Sequence, residues 1–131
     1  MDGEALLRKL QIKPGARVVL IGAPAEVETA IEAAVTLTEP GQASDAALAF
    51  CAGPADVAAF APQALTGLAP DGVLWFAYRK GAVAKQTGLS RDVGWDALNG
   101  LGYRPVRSIA FDEAWTGLRL REAWRVKSGD Q

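Results

Sequence analysis

Few residues in this chain have chemistry to offer, and their types narrow it at once. Among 131 residues there is no histidine and a single cysteine, Cys51. Histidine bases, histidine-centred triads and histidine metal sites are therefore excluded, and so is a cysteine-rich zinc site within one chain. What remains most concentrated is a cationic run, Arg79, Lys80, Lys85 and Arg91, with Ser90 beside the last of them. Ammonium and guanidinium groups at that density could hold an anion, helped by a serine hydroxyl and the backbone N–H groups of a following helix. Cys51 has no candidate base in its neighbourhood and reads as an inert thiol. Glu39, beside Pro40-Gly41, reads first as a turn acid.

These residues need a frame, and the hydrophobic pattern supplies one. Arg17–Ile21 and Ala46–Cys51 are continuous apolar runs of the kind buried on both faces of a sheet. Val73–Tyr78 carries the strongest strand signal. Helices are expected over Glu4–Leu10, from Pro24 to about Ala33, and from Pro54 to Leu68, with a short strand over Ala34–Thr38 between the second and the third. Pro70-Asp71-Gly72 reads as a turn. Ser90 is expected to cap a helix over Arg91–Asn99, ended by Gly100 and Gly102. Tyr103–Phe111 and Trp115–Trp124 then read as two strands whose short connection makes them antiparallel. Strands alternating with helices argue for a parallel sheet covered on both faces. About seven residues join Thr38 to Ala46, fewer than a normal parallel crossover needs. Either elements have been lost there, or the strand ending at Thr38 is short and peripheral.

The charge is uneven. Up to Gly72 there are four basic and nine acidic residues; from Val73 onward there are ten basic and six acidic ones. All four tryptophans, Trp75, Trp95, Trp115 and Trp124, lie in the basic half. An overall pI near 5.4 and the absence of a recognition motif speak against nucleic acid. Arg119 and Arg121 alternate with Leu118 and Leu120, the pattern of a strand with one polar face. The chain is expected to be one domain over residues 1–131, cytoplasmic, without a signal peptide or a membrane span.

The order of elements is similar to the class I S-adenosylmethionine-dependent methyltransferase fold. More closely, the chain resembles a bacterial family of small, methyltransferase-like domains of unknown function. The segments that carry this are Leu10-Gln-Ile-Lys-Pro-Gly15, Leu68-Ala-Pro-Asp-Gly-Val-Leu-Trp75, the loop from Lys80 to Asp92, Gly100-Leu-Gly-Tyr103 and Trp115-Thr-Gly-Leu-Arg119. The resemblance implies a Rossmann-like three-layer sandwich: a reduced, mostly parallel sheet of five or six strands with one antiparallel strand in a C-terminal hairpin. It also implies that Gly22 and Glu39 stand where methyltransferases contact the cofactor, the acid at the ribose.

The departures from that pattern decide the functional expectation. Methyltransferases usually carry Gly-x-Gly in the first loop, so that backbone can approach the cofactor. Here Gly22-Ala23-Pro24 supplies one glycine and removes an N–H. Glu26 and Glu28 place negative charge at the next helix start, which disfavours a pyrophosphate more than it disfavours a sulfonium cofactor. The amide-methylating members' Asn/Asp-Pro-Pro-aromatic motif is replaced by Cys51-Ala-Gly-Pro54. The expectation is a non-catalytic domain on a degenerate methyltransferase scaffold, binding a small molecule, an anion or a protein, with neither cofactor nor metal. The alternative is an S-adenosylmethionine-dependent methyltransferase of a small molecule. Lys80, Lys85, Ser90 and Arg91 are the expected anion or partner site, and a second copy of the chain is among the candidate partners. Nucleic acid and membranes are not.

Overall fold

The computed structural model describes residues 2–80, 87–91 and 93–125. It is an α/β sandwich around one six-stranded sheet. The strands are β1 (Arg17–Ile21), β2 (Thr36–Thr38), β3 (Ser44–Phe50), β4 (Leu68–Arg79), β5 (Tyr103–Ala110) and β6 (Trp115–Glu122), in spatial order β2-β1-β3-β4-β6-β5. β1 pairs parallel with β2 and β3, and β3 parallel with β4. β6 runs antiparallel to both β4 and β5, which makes it the single reversed strand. Helices α1 (Gly3–Leu10) and α2 (Ala25–Ile31) cover one face, and α3 (Pro54–Leu65) and α4 (Asp96–Gly100) the other. Six strands, mostly parallel with one reversed strand in the C-terminal hairpin, are the arrangement that the methyltransferase resemblance implies.

Two apolar cores follow from the alternation of the strands. On the face of α1 and α2, Leu6, Leu7, Leu10, Val27 and Ile31 pack against Val18, Leu48 and Trp75. On the other face, Val57, Ala61 and Leu98 meet Val19, Ala49, Phe76 and Leu118. Trp75 is fully buried, and its indole N–H donates to the Leu10 carbonyl at 2.9 Å, so the end of α1 is fastened to the centre of the sheet. Asp2 caps α1 by accepting from the Glu4 and Ala5 N–H groups, a contribution of about 1 kcal/mol.

Three expectations need correction. The helix over Arg91–Asn99 is only Asp96–Gly100, and Ser90 does not cap it. Leu89 is drawn into the core, and the Trp95 indole N–H donates to the Ser90 carbonyl at 2.6 Å. Pro70-Asp71-Gly72 does not turn the chain; it is a bulge inside β4, where the register jumps from Ser44↔Leu68 to Ala46↔Val73. Asp71 stands out from it and pairs with Arg121 at 2.8 Å. The last strand stops at Glu122, and Trp124 lies exposed in a 3-10 turn with the Arg125 guanidinium over its ring.

The short link after Thr38 has a simple solution. β2 is a three-residue edge strand whose last pair, Val19↔Thr38, lies two residues short of the end of β1. The chain turns back at Glu39–Gln42, where the Gln42 N–H donates to the Glu39 carbonyl. The Gln42 carbonyl then abuts Gly67 beside the start of β4. No helix is needed because so little strand has to be retraced.

Candidate functional site

The C-terminal edge of the parallel strands gathers Gly22 after β1, Cys51 after β3 and Lys80 after β4, together with the β5–β6 hairpin. Gly22 has φ +66°, a left-handed turn that suits glycine. A Cβ built there would lie 2.9 Å from the Phe50 carbonyl oxygen and 3.5 Å from the Phe60 ring. The space beside the one glycine of the first loop is thus taken by the end of β3 and an aromatic side chain of α3. Pro24 precedes α2 without a side-chain cap, and Glu26 and Glu28 occupy the first turn.

Glu39 is exposed, and its backbone N–H donates to the Gln42 side-chain oxygen at 2.8 Å. By register it follows the Val19↔Thr38 pair, so it enters the return turn below the level of Gly22. The sheet does not carry this acid up to the rim of the first loop.

Cys51 is fully buried. Its N–H donates to the Ala77 carbonyl, and burial, reinforced by the Asp56 charge, pushes its thiol up to about 12. Asp56 is occupied in accepting the Ala52 N–H at 2.8 Å. The segment Thr87–Leu89 closes this corner. The Thr87 carbonyl stands 3.1 Å from where a Cβ on Gly53 would be, and Gly88 lies over the Pro54 ring. Trp95 packs edge-on against Tyr78 and Phe76 beneath it.

The cationic run divides at the end of β4. Lys80 turns toward the hairpin: its N–H donates to the Ala114 carbonyl at 3.0 Å and its ammonium to the Asp112 carbonyl at 2.5 Å. The Arg79 guanidinium lies over the Trp115 ring, 5.1 Å from its centroid. Ser90, half-buried, and Arg91, exposed, return on the other side with Trp95 and α3. Lys85 lies outside the described residues. An open groove of about 610 Å³ runs along the hairpin between Lys9, Glu26, Lys80 and Asp112. Among the described residues no three acids or cysteines converge as metal ligands, and no helix is long and apolar enough to cross a membrane.

One charged residue was misread from sequence. Arg119, expected on the polar face of its strand, is only 9% exposed, with Gln11 at the end of α1 bonded to it. Its alternation with Leu118 and Leu120 shows which face it takes but not what covers that face.

No protein-family model and no curated protein matches the chain. Solved structures do match in fold. The N-methyltransferase NodS from Bradyrhizobium japonicum aligns over 92% of this chain and 93% of its own, with a TM-score of 0.58 at 12% identity. Fibrillarin from Aeropyrum pernix, in complex with natively bound S-adenosyl-L-methionine, aligns over 92% of this chain and 74% of its own (TM-score 0.56, 13% identity). A SAM-dependent methyltransferase from Aquifex aeolicus covers 91% and 88% respectively (TM-score 0.54, 13% identity). At such identities the likeness is one of fold.

Proposed function

We propose that this chain is a non-catalytic binding domain on a methyltransferase scaffold. The observation that carries the reading is the filled space at Gly22, with the Phe50 carbonyl at 2.9 Å and the Phe60 ring at 3.5 Å from a Cβ position. Three further features agree. Pro24 removes a donor from the first loop, Glu39 enters its turn below the rim, and Cys51 is sealed with a raised pKa. These features count against S-adenosylmethionine, whose sugar and methionine portions need backbone close approach at the first loop and an acid beside it. The remaining binding surface at this edge is the basic segment, with Arg91 exposed and Lys80, Lys85 and Ser90 as the other candidates for an anion or an acidic partner. Charge density is the support for that assignment.

The second reading, a small-molecule methyltransferase, is favoured by the fold it shares with fibrillarin, whose structure holds the cofactor. Calorimetric titration with S-adenosylmethionine and with its demethylated product separates the two. No heat of binding up to millimolar ligand is expected. Saturable binding at micromolar concentration would promote the enzyme reading.

A further inference from the structure

The opposite, N-terminal edge of the sheet holds a cavity that the methyltransferase comparison does not account for. It has a volume of about 420 Å³ and an apolar wall made by Ile12, Pro14, Ala16, Ala46 and Val73. Gln11, Lys13 and Asp45 supply its polar rim. Asp45 is already spoken for: it accepts from the Arg17 N–H at 2.8 Å and from the Arg17 guanidinium at 3.1 Å.

Gln11 links this cavity to Arg119. Its side-chain oxygen accepts from Arg119 Nη1 at 3.1 Å, while Arg119 Nε is buried without a partner among the described residues. The acid whose charge acts on this group, Asp71, is engaged by Arg121 at 2.8 Å and Arg125 at 3.7 Å. Burial, with repulsion from Arg121 and Arg107 and against the attraction of Asp71, draws the Arg119 guanidinium below its ordinary value. A neutral carboxamide oxygen is the poorer acceptor for such a group. A carboxylate adds an opposite charge and offers two oxygens, so it can accept from Nη1 and from the unpartnered Nε together. Gln11 itself is exposed and stands just past α1, so its side chain is free to leave.

We propose that the cavity between the α1–β1 connection and the starts of β3 and β4 binds a small amphiphilic monocarboxylate. Its carboxylate displaces the Gln11 side chain on Arg119, and its apolar body lies on Ile12, Ala16 and Val73. A carboxylate with an apolar body is favoured over inorganic phosphate because phosphate has nothing to lay on the apolar wall of Ile12, Ala16 and Val73. The site is independent of the reading of the C-terminal edge and stands or falls without it.

The test is a titration of hexanoate into the ¹⁵N-labelled protein, followed at the Gln11 side-chain amide and the Trp75 indole N–H. Saturable shifts at both are expected. Gln11→Gly, which suits the left-handed backbone at that position (φ 60°) and removes the competing carboxamide, should bind hexanoate more tightly. Ala16→Leu, which fills the cavity, and Arg119→Met should each weaken binding by about tenfold or more, a factor of ten being about 1.4 kcal/mol. Should Arg119→Met fail to fold, the other two variants decide. Unchanged or weaker binding in Gln11→Gly, absence of saturable shifts in the wild type, or equal competition by inorganic phosphate would each overturn the proposal.

Discussion

The reading of the first loop rests on one short contact, and two glycines measure it. Gly15 and Gly22 both sit at positive φ, +82° and +66°, so alanine at either position carries the left-handed penalty of about 1–2 kcal/mol. Their surroundings differ. A Cβ at Gly15 meets nothing within 4 Å, whereas one at Gly22 meets the Phe50 carbonyl at 2.9 Å and the Phe60 ring at 3.5 Å. The Phe50 carbonyl belongs to β3, held between β1 and β4, and cannot withdraw without disturbing the sheet. Overpacking of that kind costs about 1–3 kcal/mol. Gly15→Ala should therefore destabilise by about 1–2 kcal/mol and Gly22→Ala by about 2–5 kcal/mol. Urea unfolding followed by tryptophan fluorescence reads both, with an unchanged m-value confirming that only stability moved. The difference between the variants isolates the contact, because the backbone penalty cancels. A difference under about 0.5 kcal/mol, the size of an ordinary surface substitution, would mean the space beside Gly22 is open, and the case against a bound cofactor would lose its main support.

Two further outcomes are expected. Cys51, with its thiol pushed up to about 12 from an ordinary 9.0, should hold roughly a thousandfold less thiolate than a free cysteine at pH 8; Ellman's reagent should label it only in urea, and rapid labelling of the native protein would contradict its burial. Asp71 is held below its ordinary carboxyl value, first by the hydrogen bond from Arg121, so its contribution to stability is present above that ordinary value and is lost as pH falls through the folded one. Asp71→Asn, which tolerates the positive φ there, should cost up to about 1 kcal/mol at pH 7 and progressively less toward pH 3; a cost that does not change with pH would show that the Arg121 pair is not responsible.

The central strands were readable from sequence because they are buried on both faces, which leaves uninterrupted apolar runs such as Val18-Val19-Leu20-Ile21 and Ala46–Phe50. The antiparallel hairpin was readable from the length of its connection. The start of the fourth helix was not, because Leu89 enters the core and Trp95 spends its indole N–H on the Ser90 carbonyl, contacts that local capping residues do not reveal. Local capping rules favoured a helix that tertiary packing overrode. Of the candidate site, the concentration of charge at Arg79–Arg91 was visible, but the turning of Lys80 toward Asp112 depends on where the hairpin lies. Arg119 was the larger miss. Alternation placed it on the correct face, but only the position of α1 shows that this face is covered.

The two borders of the sheet bear on how the molecule behaves in a crowd. An unpaired strand presents a ladder of free N–H and C=O groups, a template on which other chains can polymerise. At one border β2 is three residues long, which leaves little ladder to copy. At the other, β5 carries Pro105, which has no N–H, and a break in register between Pro105 and Arg107, with exposed Arg104 and Arg107 on either side. Among the described residues both borders offer an incoming strand only a short ladder: the three residues of β2, and the stretch of β5 from Arg107 to Ala110 beyond the break. Short edges of this kind limit the template on which edge-to-edge growth depends.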